Sequence, residues 1–276
     1  ARRARPGAHP TPSGTRFSVW APLADAAAVV GDFNGWDPLR DRLRRVGDLW
    51  ETVVPEARPG SRYRFRIERD GRVEEVTDPF AVRVGSPPAE AGIVWQLDHR
   101  WGDDAWLETR AERQGLDRPM SVYQVDLGSW RRVPEEGDRP MGYREIASRL
   151  GDYAHRMGFT HVELLPVTRA GAALAPREEP GSPQDLMALV DELHRHELGV
   201  ILDCHLPPLG HEAPRDLLEV AAGVFLDAYH VDGLRVVLDD VPPEERAAFA
   251  EAVLQAVAEH PGVVAVLDAY GAATST

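Results

Sequence analysis

Residues 229–240 read YHVDGLRVVLDD, and this stretch decides how the C-terminal part of the chain is interpreted. An apolar run that contains Arg235 ends in two adjacent aspartates, Asp239 and Asp240. A strand that carries polar groups at its carboxyl end is typical of a (β/α) barrel, whose C-terminal rim holds the chemistry. The same aspartates also suit the cap and first turn of the next helix, which begins near Pro242. The helix interpretation is favoured, because proline followed by glutamates is a common helix start.

Four more apolar runs of the same kind follow residue 118, and helix-like segments separate them. The runs are SVYQVDLGSW, HVELLPV, GVILDCHLP and VVAVLD. Alternation of strands and helices predicts a parallel sheet covered by helices. Residues 119–276 accommodate about five such units, whereas a closed (β/α)8 barrel takes about 250 residues. The sequence therefore predicts a shortened, incomplete (β/α) barrel of about five parallel strands, with a sheet edge that is open, covered or paired.

In the N-terminal part of the chain, apolar and polar residues alternate with a period of two, as in β-strands. In SRYRFRIE, residues 61–68, Tyr63, Phe65 and Ile67 alternate with charged residues, as in a strand with one buried face. Turn signals recur every ~8–12 residues, which predicts a small β-sandwich. We expect this sandwich over residues 14–100, after a disordered arm at 1–13 and before a linker at 101–118.

Composition limits the function classes. The chain has 276 residues and a formal net charge of −14, which argues against nucleic acid and anionic membranes as partners. A neutral ligand such as a sugar is indifferent to this charge. No apolar run reaches the ~18–20 residues of a membrane span, and no signal peptide is expected. The single cysteine, Cys204, excludes an internal disulfide and predicts a reducing, cytoplasmic location.

Several segments together resemble a known family. They are GTRFSVWAP, VVGDFNGWDP, SVYQVDLGSWRR, YREIASRLGDYAHRMGFTHVELLPV, GVILD and YHVDGLRV. In this order they closely resemble bacterial 1,4-α-glucan (glycogen) branching enzymes of glycoside hydrolase family 13. The resemblance implies a family 48 carbohydrate-binding module followed by a (β/α)8 barrel. It also implies a retaining transglycosylation with an aspartate nucleophile, a glutamate acid/base and no cofactor.

The chain departs from the family at the reacting groups. The nucleophile lies two residues after the arginine of the fourth strand, and here Val237 follows Arg235 at that distance. Asp239 shares the strand face but lies about 6.6 Å further along, too far to substitute. Asp268 occupies the acid/base position, and Asp203 keeps the aspartate of the family's first conserved strand motif. These positions are interpreted as vestigial, and none is a confident catalytic residue.

The surroundings of these positions also differ from the family. Residues 168–183, the loop that builds the sugar subsite in the family, contain no aromatic residue. Five neighbouring residues have side chains of metal-ligating type, but their spacing matches no zinc signature, and no metal is expected. Those residues are Asp203, Cys204, His205, His211 and Glu212.

The resemblance implies that Trp36 and Arg64 of the sandwich stack on and hydrogen-bond an α-glucan. Arg64 lies in the Tyr-basic-Phe element of the family, but the second aromatic expected after Asp70-Gly71 is absent. Glucan binding and a purely structural role both remain open for this domain, with the structural role favoured.

The sequence thus predicts a branching-enzyme-like protein of glycogen metabolism that has lost catalysis. Its remaining role is weak binding of α-glucan or of a protein partner in glycogen metabolism. The alternative is an active branching enzyme, an α-glucosidase with rearranged carboxylates, or a fragment of one.

Overall fold

The computed structural model describes residues 5–85, 90–115, 117–168, 174–176, 181–204, 215–238 and 241–268, without side chains for 204, 215–218 and 268. The chain divides into two compact units. The first comprises Ala1–Leu97 with Ala173–Glu178, and the second comprises Asp98–Ala172 with Glu179–Thr276.

The first unit contains two antiparallel sheets, as the period-two pattern predicts. Its strands are β1 (Gly7–Thr11), β2 (Gly14–Trp20), β3 (Ala26–Gly31), β4 (Arg44–Val46), β5 (Leu49–Val54), β6 (Arg62–Arg69), β7 (Arg72–Val76) and β8 (Gly92–Ile93). One sheet has the order β1-β2-β5-β4 and the other β3-β6-β7, with β8 also paired to β6. The inward side chains of both sheets form one apolar core around Phe17, Trp50, Tyr63 and Phe65.

The disordered arm predicted for residues 1–13 is wrong where β1 forms. This strand pairs with β2 from Gly7 opposite Ser18 to Thr11 opposite Gly14. Pro10 argues against a strand in the sequence, because proline has no backbone N–H to donate. Proline is nevertheless tolerated on an edge strand such as β1. The hairpin also needs a glycine at position 14, where φ is +138° and a Cβ would lie 2.4 Å from the Val54 carbonyl oxygen.

The second unit is the predicted α/β part. Its regular elements are α1 (Asp104–Arg113), β9 (Val122–Asp126), β10 (Arg132–Val133), β11 (Arg139–Pro140), α2 (Tyr143–Arg156), β12 (His161–Leu165), α3 (Pro183–Arg195), β13 (Gly199–Cys204), α4 (Arg215–Gly223), β14 (Gly233–Val237), α5 (Arg246–Ala258) and β15 (Val264–Asp268). A 3-10 turn follows β10, and a π-helical turn at Val224–Ala228 follows α4. Five parallel strands form one sheet in the order β15-β14-β13-β12-β9, which confirms the predicted strand number.

The two faces of the parallel sheet differ. One face carries apolar side chains that are fully buried, among them Val162, Leu164, Leu202, Leu234 and Val236. The opposite face carries the polar side chains of β9, β12, β13 and β14, because successive residues of a strand point to opposite sides.

The linker predicted for residues 101–118 contains a helix, α1, so that part of the prediction is wrong. Its anchor is Trp106, which is buried and donates its indole N–H to the Asp232 carboxylate at 2.9 Å. The helix has few apolar residues, and its amphipathic signal is correspondingly weak. Among the described residues, no helix is long and apolar enough to cross a bilayer.

Candidate functional site

The predicted vestigial positions come together at the carboxyl ends of three neighbouring strands. Arg235 of β14 pairs in register with Asp203 of β13 and Val266 of β15. Val237 pairs with Asp268, directly across from it on β15. Adjacent strands lie about 4.8 Å apart. Retaining chemistry needs two carboxyl groups about 5–5.5 Å apart.

Val237 has no carboxyl group. Its side chain carries no atom that can attack an anomeric carbon. The register thus brings together the two positions that the family resemblance predicts for the nucleophile and the acid/base.

Arg235 takes part in a polar row across the sheet. Its guanidinium donates to Oε1 of Glu163 at 2.9 Å, and the Gln124 amide donates to the other carboxylate oxygen at 2.9 Å. Glu163 and Gln124 lie on β12 and β9 and are opposite each other in register. The sequence analysis missed both residues. The available signal was a polar residue in the middle of each apolar strand, in HVELL and VYQVD.

Several predicted positions lie outside the described residues. They are Asp239, Asp240, His205, His211 and Glu212, so neither the helix-start interpretation nor the metal interpretation is tested for them. Within the part of the chain that the structure describes, no group of three histidine, cysteine or carboxylate side chains is arranged to hold a metal ion.

A short described part of the loop at residues 168–183 packs with the first unit. Leu174 is fully buried, and its backbone N–H donates to the Pro79 carbonyl at 3.2 Å. Ala175 packs with Ala81 in a small apolar cluster. This part of the loop therefore covers apolar surface of the first unit.

The turn after β3 holds Trp36 in a defined orientation. Its indole N–H donates to Oδ1 of Asp32 at 3.3 Å, and its backbone N–H donates to the Asn34 side chain at 3.1 Å. Asp32 in turn accepts two hydrogen bonds of 3.0 Å from the Arg62 guanidinium. These bonds hold the pKa of the Asp32 carboxyl below its usual value, although partial burial opposes the shift. Trp36 remains 37% exposed.

Arg64 lies on the same face of β6 as Arg62, because the two are separated by one residue. It pairs in register with Val30 of β3 and is half-buried. The outer face of this sheet thus carries Arg62, which is linked to Trp36 through Asp32, and Arg64 one step along the strand. Asp32 and Arg62 were missed from sequence, since their role depends on the fold of the turn.

Comparison with known families defines the class of the protein. Residues 6–81 match the model of carbohydrate-binding module 48, described as the isoamylase N-terminal domain. The first unit is therefore a family 48 module, and the parallel α/β unit follows it in the chain.

Individual relatives are more specific. The chain is 40% identical to the 1,4-α-glucan branching enzyme of Myxococcus xanthus, over 81% of this chain and 38% of that enzyme. It is 39% identical to the branching enzyme of Salinibacter ruber, over 84% of this chain and 46% of that enzyme. The chain is a homologue of the bacterial glycogen branching enzymes, which confirms the resemblance seen in its motifs.

The match covers only part of each relative. The chain spans less than half of the length of these enzymes. The alignment with the Myxococcus enzyme has 275 positions but uses only 81% of this 276-residue chain. That enzyme therefore carries additional segments inside the matched region.

Solved structures of low identity share the fold. The pullulanase of Anoxybacillus sp. LM18-11, complexed with maltotriose, matches 97% of this chain with a TM-score of 0.74 at 17% identity, over 48% of its own length. The catalytic module of the pneumococcal glycogen-degrading virulence factor SpuA matches 99% of this chain with a TM-score of 0.71 at 18% identity, over 51% of its length. These neighbours share the fold of this chain.

Proposed function

We propose that this protein binds α-glucan through Trp36 of its family 48 module and does not form the glycosyl-enzyme intermediate of the branching reaction. The observation that carries the binding half is the oriented, partly exposed indole of Trp36. The relatives named as 1,4-α-glucan branching enzymes support the choice of ligand.

The chemistry of the Trp36 surface suits a sugar. Aromatic faces pack on the C–H side of pyranose rings, while neighbouring donors hold the hydroxyl groups. The indole N–H is already engaged by Asp32, so the ring is held ready before the ligand arrives. Preorganisation of this kind lowers the entropy cost of binding. The module lacks a second aromatic after Asp70-Gly71, and we therefore expect weak binding.

The catalytic half of the proposal rests on Val237. A retaining mechanism needs one carboxylate to attack and another to protonate the leaving oxygen. The in-register pairing of Val237 with Asp268 supports the interpretation of these two residues as the nucleophile and acid/base positions. The carboxyl group of Asp268 favours a second candidate, a glycosidase that uses rearranged carboxylates. Assay of the products formed from amylose separates the two.

Binding is tested by native gel electrophoresis in gels with and without glycogen. Trp36→Ala is expected to weaken retardation by about tenfold or more, because an aromatic contact contributes about 1.5 kcal/mol and 1.4 kcal/mol is a factor of ten. Leu39→Ala is the matched control, since Leu39 lies in the same loop and is 70% exposed. Equal retardation of both variants would contradict a role for Trp36. Absence of retardation in the parent protein would leave only the protein-partner hypothesis.

A further inference from the structure

The second unit begins with an irregular segment, residues 98–103, that precedes α1 and is held by side chains of other elements. Asp98 accepts from the Gln184 amide at 2.8 Å, and the Gly102 backbone N–H donates to Oδ1 of Asp191 at 3.0 Å. Both of these partners lie on α3. We call residues 98–103 the strap, because α3 holds the segment near both of its ends.

Histidine side chains supply further contacts of the strap. The indole of Trp101 stacks on the His230 imidazole, with ring centroids 3.9 Å apart and planes 16° apart. His230 also donates from Nδ1 to Asp103 at 3.0 Å, and His194 donates to the same carboxylate at 2.9 Å. A third imidazole, that of His99 in the strap itself, lies edge-on to Trp101. Three imidazoles therefore meet within this one short segment.

His194 bridges two carboxylates, and this geometry requires both of its ring N–H groups. Nδ1 lies 2.9 Å from Asp103 and Nε2 lies 2.9 Å from Asp232, and all three side chains are fully buried. A neutral imidazole has one N–H only, so its other nitrogen would face a carboxylate oxygen with a lone pair. The bridge therefore belongs to the imidazolium. Although burial opposes the shift, the two hydrogen bonds raise the pKa of His194, which favours this form.

Asp232 keeps other partners when His194 loses a proton. It accepts from the Trp106 indole at 2.9 Å and from the Val200 backbone N–H at 2.7 Å. The Arg110 guanidinium also lies 3.8 Å from its carboxylate. Asp232 is therefore held in place without the imidazolium.

Asp103 has no such support. Among the described residues, its carboxylate accepts only from His194 and His230, and it makes no capping bond to α1. His230 is itself in the left-handed region, with φ +52°. A residue with a Cβ stays in that region only where its surroundings hold it there. Asp103 and the strap are therefore the weaker side of the bridge.

The other charged groups around this bridge leave His194 as the group that changes. Arg195 lies 2.7 Å from Asp191, and arginine stays charged at every pH of interest. Burial lowers the pKa of His161, which lies near Asp232, although that carboxylate opposes the shift. Because the pKa of His194 is raised, His161 loses its proton first as the pH rises.

We propose that the strap is a pH-sensitive device, held on α3 while His194 is an imidazolium and released when His194 loses a proton. A raised folded pKa contributes stability that is present at low pH and is lost as pH rises through that pKa. The strap is therefore held at low pH and released at high pH. Helix α1 stays in place, because the bond from Trp106 to Asp232 remains. The device does not involve the Trp36 surface and does not depend on glucan binding.

The test is limited digestion with trypsin, with mass spectrometry to identify each cleavage. Arg100 is exposed at the centre of the strap, and cleavage after it requires that the strap leaves α3. Arg113, exposed in the last turn of α1, is the internal reference, because the ratio of the two cleavages cancels the pH dependence of trypsin. We expect the ratio of cleavage after Arg100 to cleavage after Arg113 to rise at least about fivefold from pH 6 to pH 9. Loss of one proton limits the rise to about tenfold per pH unit.

Variants assign this rise to the bridge. His194→Gln is expected to give the high ratio at both pH values, and Asp103→Asn, which removes the charge that His194 holds, replaces it if it does not fold. His155→Gln, at an exposed position of α2, is the matched control and should keep the rise. A ratio that stays equal at pH 6 and pH 9 in the parent protein would overturn the proposal. So would a rise that persists in both His194→Gln and Asp103→Asn.

Discussion

Asp78 is a buried carboxyl group of the first unit, and we expect it to make the stability of this unit depend on pH. It accepts hydrogen bonds from the Tyr63 hydroxyl at 2.6 Å and from the Phe80 backbone N–H at 2.8 Å. Burial raises the pKa of Asp78 from 3.8 to about 6, although both hydrogen bonds act in the opposite direction. The folded protein therefore binds a proton at this site more tightly than the unfolded chain does.

The sign of the pH effect follows from this shift. A raised pKa contributes stability that is fully present below about pH 4 and is lost as pH rises through about 6. The shift of about two pKa units corresponds to about 3 kcal/mol. Asp78→Asn is expected to remove this fall in the free energy of unfolding, measured by urea titration from pH 4 to 7. Glu74→Gln, at an exposed position of β7, should keep the fall, and equal pH profiles for the two variants would contradict the argument.

At the scale of elements, a buried ionic cluster fastens α1 to the α/β unit. His194, near the end of α3, donates to Asp103 and to Asp232 at 2.9 Å each. Asp232 precedes β14 and also accepts from Trp106 of α1. Burial lowers the pKa of His194, but the hydrogen bonds to the two carboxylates outweigh it and the net pKa is raised. Asp103 responds in the opposite sense, because His194 and His230 lower its pKa against the effect of burial.

Loss of the imidazolium leaves two buried carboxylates without their shared partner. His194→Gln is therefore expected to lower the free energy of unfolding by about 3–5 kcal/mol, the range for breaking a buried ion pair. Because the folded pKa is raised, the stability that His194 contributes is present at low pH and is lost as pH rises through that pKa. Urea unfolding from pH 5 to 9 measures both effects.

His196 provides the control for this experiment, since it follows α3 and its ion pairs are partly exposed. His196→Ala is expected to cost less than about 1 kcal/mol. Equal destabilisation of the two histidine variants would contradict the argument that the buried cluster holds α1 on the α/β unit.

For the whole molecule, the sequence predicts those elements whose pattern of apolar residues is visible within the element itself. The switch from period two to alternating strands and helices predicted both units and the five parallel strands. The strand β1 and the helix α1 were missed, because β1 contains Pro10 on an edge and Trp106 is the one buried residue of α1. The partner of Trp106, Asp232, is distant in the chain, and a local pattern does not encode it.

The candidate site was predictable only in part, for the same reason. Val237 and Asp268 follow from the family pattern, and the register then places them opposite each other. The contact of Arg235 with Glu163 crosses from β14 to β12 and needs the sheet order. The bonds from Trp36 to Asp32 and from Asp32 to Arg62 need the folded turn.

A retaining mechanism needs both of its carboxylates in the same site. An assay of the products formed from amylose is therefore the decisive test of the proposal that catalysis is lost. Incubated with amylose, this protein is expected to form no new α-1,6 linkages, because Val237 cannot form the covalent intermediate. Debranching followed by chain-length analysis measures the linkages, with the Myxococcus branching enzyme as the positive control. Asp268→Ala separates surviving catalysis from contamination. Branching that this variant abolishes would show that rearranged carboxylates do the chemistry, and it would refute the proposal that catalysis is lost.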